Sequence, residues 1–469
     1  MMIRVKCDEQ LRYHAYHILS LYYAFSDVLF IEDQEEADIS LHLEDQMLCI
    51  IFFGAVHQYP FMEMNTMRRA LFSLLREKTG KILPWGILIG IRPSKIVLSL
   101  LNEGLDQEQI AEKMKKEFLV SADKISLSYE VALKERELLR KVDTLNSVDL
   151  YIGMPFCPSR CLYCSFASNV YTGNRFKDEY LRLLQVEIET IKGYIDDNGL
   201  VVNTVYFGGG TPTAVSDDEF QSVMKAIHEN FIEGRNILEF TVEAGRVDSI
   251  NRQKLEIMKR YGTTRISINP QTMSDDTLRI IGRNHDSSSV LRIFDLARAS
   301  GFDNINMDMI LGLPGETLKD VEHTLSEIRK LSPESITVHG LALKRASRLY
   351  EDYILNRKYP LPSQEEMNEM YRRTDETARS LGLLPYYMYR QKNMVGNLEN
   401  VGYAKEGFEN LYNIVMIEEV KTVIAMGADG ISKKIRDGKV SRFPNFKGLN
   451  DYTERFQEMM DNKMKFLKE

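Results

Sequence analysis

The sequence holds only five cysteines among its 469 residues, and their spacing offers no disulfide framework. It has no basic surplus either. Its 60 Lys and Arg against 68 Asp and Glu give a formal charge of −8 and a pI near 5.7, which argues against a nucleic-acid partner. No run approaches the roughly 18 to 20 apolar residues of a membrane span, and the opening MMIRVKCDEQ has no secretory apolar segment. The expectation is a cytoplasmic protein with no membrane span. Tryptophan occurs once, at Trp85 in LPWGILIGIRPSKI, and reads as a packing anchor beside a Gly/Pro-rich turn in a segment unusual enough to hold a specific contact. Core-forming residues are plentiful: 44% of the chain is apolar, enough for two or three domains.

Three of the five cysteines stand together, Cys157, Cys161 and Cys164 in YIGMPFCPSRCLYCSFAS. Cys-x3-Cys-x2-Cys supplies three thiolates and no fourth. Thiolates hold iron–sulfur clusters, and a four-iron cluster normally takes four of them, so three leave one iron open to a small molecule. Structural zinc wants four ligands, and no second Cys pair or nearby His completes that set. Catalytic zinc or inert thiols would leave the downstream motifs without a reason. Cys7 and Cys49 read as ordinary thiols.

About forty residues on, YFGGGTPT (206–213) follows an apolar stretch. Glycines placed after a strand allow close backbone approach and leave amides for a ligand's polar atoms, although a plain tight turn shows the same pattern. With both motifs in place, residues 149–339 resemble the radical S-adenosylmethionine (SAM) superfamily. Within it they resemble the group typified by oxygen-independent coproporphyrinogen III oxidase and its haem-chaperone relatives. Further matches come in the family's order: Glu243 in EFTVEAGR, Gln271 in RISINPQTM, Arg283 in IGRNH and Asp308 in NMDMILGLPGET. Singly, each has a plain alternative as a helix cap, a turn residue or a surface cation. Together they suit a ligand that carries an ammonium, a carboxylate, a sulfonium and ribose hydroxyls.

The resemblance implies a 4Fe-4S cluster on Cys157, Cys161 and Cys164, with SAM chelating the open iron. It implies a SAM site made of Tyr151, Tyr163, Gly209, Gly210, Thr211, Glu243, Gln271, Arg283 and Asp308, with no catalytic residue assigned beyond the cluster. A low-potential donor such as flavodoxin or ferredoxin would supply the electron that cleaves SAM to a 5′-deoxyadenosyl radical. In the coproporphyrinogen enzymes that radical takes hydrogen from a propionate, and loss of an electron and carbon dioxide leaves a vinyl group. Two rounds give protoporphyrinogen IX, a step of anaerobic haem biosynthesis.

Coproporphyrinogen oxidase proper carries a further Cys two residues after the third. Here that position is Phe166, and the haem-chaperone branch also has an aromatic there. The long N-terminal extension, with TVEAGRVDSI, SINPQTM and TVHGLALKRASRL, resembles the HemZ-type coproporphyrinogen dehydrogenases. Two other functions remain open: a haem-binding chaperone, for which His339 or His285 would be the axial ligand, and a radical SAM enzyme that acts on haem itself. A lone His is more often a hydrogen-bonded structural residue.

For organisation, residues 1–145 read as an α+β extension. Its strand-like runs are 2–5, 37–43 and 47–53, the last two a hairpin, and helical stretches follow at 107–118 and 131–145. From residue 149, strands at 150–154, 202–207, 238–243, 264–269, 304–310 and 335–339 alternate with helices. One such helix is 175–194, with Phe176, Tyr180, Leu183, Leu184 and Ile188 as its core stripe. Six βα units predict an α/β fold, a six-stranded partial (β/α) barrel over 146–345, with every proposed ligand near the C-terminal end of a strand. Residues 346–469 are expected to be a mainly helical region covering the substrate. The cations Lys344, Arg345 and Arg348, joined by Arg390 and Lys392, would hold the carboxylates of a tetrapyrrole substrate, the alternative being a solvated basic turn.

Overall fold

Val148, Leu150, Ile152 and Met154 bury one face of a strand whose other face is also largely covered, which is the signature of a parallel sheet enclosed on both sides. The computed structural model describes residues 2–469 apart from 25–26, 33–35, 91, 143–145, 167, 355, 357 and 437. At the N-terminus, β1 (Ile3–Cys7), β2 (Val28–Phe30), β3 (Ile39–Glu44), β4 (Met47–Phe52) and β5 (Ala55–Pro60) form a sheet in the order β2-β1-β3-β4-β5. The expected hairpin is β3–β4, turning at Asp45 and Gln46, both at positive φ. Helices Glu9–Tyr22 and Met64–Thr79 pack Ile18, Leu71 and Phe72 against Ile3, Val5 and Ile50.

The helix expected at 107–118 is Gln107–Phe118. Asp106 caps it by accepting from the Gln109 N–H, while the Gln109 side chain accepts from the Asp106 N–H. The helix expected at 131–145 starts earlier, as Ala122–Lys141, and 143–145 lie outside the described residues. These helices share the barrel's core, Trp85, Val97, Ile110 and Val131 joining Leu150 and Val205, whereas the β1–β5 sheet has a separate one.

The barrel begins with β6 (Ser147–Met154), followed by a short parallel pair, β7 (Phe156–Cys157) and β8 (Asn169–Val170). Then come β9 (Val201–Gly209), β10 (Glu239–Val242), β11 (Arg265–Ser267), β12 (Ile305–Leu311) and β13 (Ser335–Gly340). The six expected strands, β6 and β9 to β13, lie side by side and all parallel. Helix Lys177–Asp197 buries Tyr180, Leu183, Leu184 and Ile188 against this sheet, the stripe read from its spacing.

The C-terminal region, expected to be mainly helical, does hold more helix than strand, but it also completes the sheet. Strand β14 (Leu384–Tyr389) pairs with β15 (Asn400–Ala404), and β15 pairs antiparallel with β13. At the other edge β16 (Thr422–Met426) runs parallel to β6, followed by β17 (Ile431–Arg436) and β18 (Lys439–Pro444). A fully buried pair ties this edge down: Lys463 Nζ donates to Glu187 Oε1 at 2.7 Å, and Glu187 Oε2 accepts from Tyr452 and the Gly427 N–H. Among the described residues no helix is long and apolar enough to cross a membrane.

Candidate active site

All six parallel strands deliver their C-terminal ends to one cavity of about 600 Å³. The pair β7–β8 closes the base of the cysteine loop, with the Asn169 N–H on the Pro155 carbonyl and the Tyr171 N–H on that of Cys157. Further bonds, from Leu162 N–H to Ile281 and from Leu349 N–H to Leu162, fasten the loop to its neighbours. Cys157, Cys161 and Cys164 all line the cavity as free thiols. No three His, Cys, Asp or Glu side chains among the described residues are placed to hold one ion. Three thiols on one cavity wall are the donor set a four-iron cluster with one open iron would use. Burial, and then the neighbouring Cys164 and Cys161, push the Cys157 thiol up to about 12, so thiolates here need a cationic partner.

The glycine run is shaped by this loop. Register pairs Gly153 with Gly208 and Met154 with Gly209. A Cβ on Gly210 would lie 2.4 Å from the Phe156 carbonyl oxygen and 3.1 Å from Cys157 Sγ, and one on Gly208 would lie 2.6 Å from Glu243 Oε2. Close approach is therefore what the glycines provide. Their amides, expected to be left for a ligand, are largely taken: Gly210 and Thr211 donate to the Met154 and Phe156 carbonyls, and Gly209 donates to Glu243 Oε2 at 3.3 Å. Gly209 and Gly210 line the cavity. Thr211 lies behind them with its Oγ1 on the Glu243 carbonyl, and Tyr151 stands near Tyr206 and Tyr412, so neither belongs to the cavity wall.

The remaining proposed SAM residues, Tyr163, Glu243, Gln271, Arg283 and Asp308, converge on the cavity. Burial raises the Glu243 carboxyl to about 7, opposed by the Tyr206 hydroxyl bonded to its Oε1 at 2.7 Å and reinforced by Asp308. Asp308 goes the other way. Burial would raise it too, but hydrogen bonds from His339, Asn306 and Thr337 hold it below the ordinary carboxylate value. Asn306 Nδ2 and Asn269 Nδ2 donate to it at 2.6 and 2.8 Å, and His339 Nε2 stands 3.7 Å away.

Gln271 sits at φ 65°, pinned by its N–H on the Asp308 carbonyl and by the Ile310 N–H on its own carbonyl. Its buried Oε1 has no partner among the described residues. Arg283 donates to the Gly245 carbonyl and the Tyr163 hydroxyl, each at 3.0 Å, and its Nε likewise has no partner among the described residues. Buried polar atoms without partners in a cavity wall fit the polar groups of a ligand.

Three of the four expected substrate cations fall elsewhere. Arg345 and Arg348 are exposed and outside the cavity wall. Arg390 is a structural residue, 5% exposed: it gives Nη1 to the Leu88 carbonyl and Nη2 to that of Asn397, each at 2.7 Å, and lies 5.1 Å over the Trp85 ring. Only Lys344 lines the cavity. Lys392 is exposed, and His285 is not in the wall. Trp85 has a specific contact, donating Nε1 to Glu399 Oε2 at 2.5 Å. Phe166 is 70% exposed at the cavity edge. The sequence reading missed Arg246, Asn269, Asn306 and Tyr206. All four lie within or beside the motifs already singled out, so distance along the chain from a matched residue was the available signal.

The family model of the radical SAM superfamily matches residues 151–328. The chain is 41% identical over 411 residues to the "Oxygen-independent coproporphyrinogen-III oxidase-like protein HemZ" of Bacillus subtilis, covering 86% of this chain and 81% of that protein. It is 34% identical over 267 residues to the heme chaperone HemW of the same organism, 56% of this chain and 65% of the relative. Among solved structures it is similar to coproporphyrinogen III oxidase (HemN) from Escherichia coli, with a TM-score of 0.54, 22% identity and coverage of 70% and 72%, a likeness of fold. A superfamily match of this kind carries a 4Fe-4S cluster and SAM as its cofactors.

Proposed function

We propose, from the premise that this chain belongs to the radical SAM superfamily and within it to the family of HemZ-like, oxygen-independent coproporphyrinogen-III oxidase-like proteins, that it converts coproporphyrinogen III to protoporphyrinogen IX. The reaction removes two propionate carboxyls as carbon dioxide and leaves vinyl groups. Cys157, Cys161 and Cys164 hold the cluster, while Glu243, Gln271, Arg283 and Asp308 offer partners to the polar groups of SAM. Bound there and reduced by a low-potential donor such as flavodoxin or ferredoxin, the cofactors would supply radical chemistry that takes one hydrogen atom from each reacting propionate, and the remaining electron would leave, with loss of carbon dioxide, to a one-electron acceptor.

Lys344 is the observation that carries the substrate class. Among the cations of the cavity wall, Arg246 pairs with Asp248, and Arg265 and Arg283 are committed to protein acceptors. His339 faces Asp308. The Lys344 ammonium alone has no carboxylate or hydrogen-bond partner among the described residues, and burial lowers its pKa. A carboxylate on the ligand would restore that charge, as a propionate does.

Exposed Phe166, together with the identity to HemW, favours one second reading, haem carriage without decarboxylation. Anaerobic reconstitution with SAM and a low-potential reductant, in parallel samples given coproporphyrinogen III or haem, following 5′-deoxyadenosine, bound haem and tetrapyrrole mass together, separates the two. Loss of two carboxyl groups in step with 5′-deoxyadenosine supports the proposal. An unchanged porphyrinogen with tight stoichiometric haem binding supports carriage, and a linear tetrapyrrole would mean chemistry on haem itself.

A further inference from the structure

The turn after β10 brings a guanidinium onto the cysteine loop. Arg246 Nη1 lies 3.4 Å from Cys161 Sγ and donates to the Ser159 carbonyl at 3.0 Å. Its Nη2 donates to Ser159 Oγ at 2.9 Å and pairs with Asp248 Oδ2 at 2.7 Å, and its Nε donates to Asp248 Oδ1 at 2.9 Å. Arg246 is 3% exposed, so water does not compete for these bonds. Cys164 Sγ is treated differently, with the neutral Ser168 hydroxyl at 3.5 Å.

We propose that Arg246 is a positioning residue that sets the reduction potential of the cluster by hydrogen-bonding the ligand sulfur of Cys161. The inference rests on the reading of Cys161 as a cluster ligand. Reduction adds one electron, and the added negative charge is shared with the ligand sulfurs. A charged N–H on one of them stabilises the reduced form more than the oxidised form and so raises the potential. Asp248 offsets part of that charge while it orients the fork. Lysine lacks the fork and could not bond Ser159, Asp248 and the sulfur together.

The test is an anaerobic redox titration of the reconstituted full-length protein followed by electron paramagnetic resonance, with iron and sulfide analysis of each sample. In Arg246→Gln the equilibrium constant for reduction should fall about tenfold, which for a one-electron couple lowers the midpoint by about 59 mV. In Asp248→Asn the guanidinium charge is no longer offset, and the midpoint should rise. A four-iron Arg246→Gln protein with the wild-type midpoint overturns the proposal. Should Arg246→Gln lose its cluster, Asp248→Asn decides, and an unchanged or lower midpoint there overturns it. Failure of the underlying reading shows separately, as a Cys161→Ala protein that keeps the full cluster.

Discussion

Two groups of buried polar side chains, one where the N-terminal extension meets the C-terminal region and one at the barrel mouth, meet their hydrogen-bonding needs differently. At the joint, Glu399 accepts from Trp85 Nε1 and, at 2.7 Å, from Lys124 Nζ, while Arg390 serves three carbonyls and covers the Trp85 ring. Each of these groups finds its partner inside the protein. At the mouth, Gln271 Oε1 and Arg283 Nε are buried without partners, and Lys344 has no counter-charge among the described residues. The same residue types are thus paired within the protein around Glu399 and left with unpaired atoms at the mouth, where a ligand could meet them.

Breaking the mouth outright has the largest effect. Replacing any one of Cys157, Cys161 or Cys164 with Ala should abolish SAM cleavage, read as 5′-deoxyadenosine formed per protein; a variant that cleaves at the wild-type rate removes that Cys from the ligand set. Breaking the joint acts on stability instead. Glu399→Ala leaves Trp85 Nε1 and Lys124 Nζ buried without their carboxylate and should cost about 3–5 kcal/mol in urea unfolding. The fraction that stays folded should bind SAM as the parent does, and loss of affinity there would erase the distinction between the two groups.

Smaller changes sharpen the comparison. Lys344→Met should raise the KM for coproporphyrinogen III about tenfold with SAM affinity kept, and an unchanged KM would detach Lys344 from the substrate. The Glu243 carboxyl gives the smallest effect. Its folded-state pKa is raised from 4.5 to about 7, so its contribution to stability is whole below pH 4.5 and is lost as pH rises through 7. In SAM-free protein, stability should fall across that window, and Glu243→Gln should fall less. Glu316, also raised to about 7 by burial, leaves a residual slope of the same sign.

The barrel was legible because parallel strands buried on both faces make unbroken apolar runs, and all six appear within a few residues of their expected bounds. That Cys157, Cys161, Cys164, Tyr163, Glu243, Gln271, Arg283 and Asp308 meet at one cavity was legible from motifs in a fixed order. Strands β14 to β18 were not, because an edge strand depends on what β13 and β6 leave unpaired, and no local pattern records that. Strand β2 has three residues, and β5, AVHQYP, is half polar and mostly exposed, so neither shows a clear alternation. The cations divide for a similar reason. Arg390 and Lys344 look alike in a basic, aromatic stretch, and only Trp85, three hundred residues upstream of Arg390, decides that one is structural.

The most direct test of the contrast between joint and mouth is the dissociation constant of SAM for cluster-loaded Gln271→Asn. Asparagine tolerates the positive φ of this position but withdraws the unpartnered oxygen from the cavity. The expected result is affinity weakened about tenfold with cluster content and unfolding midpoint unchanged. Wild-type affinity would contradict the claim that the unpaired atoms of the mouth are placed for the ligand.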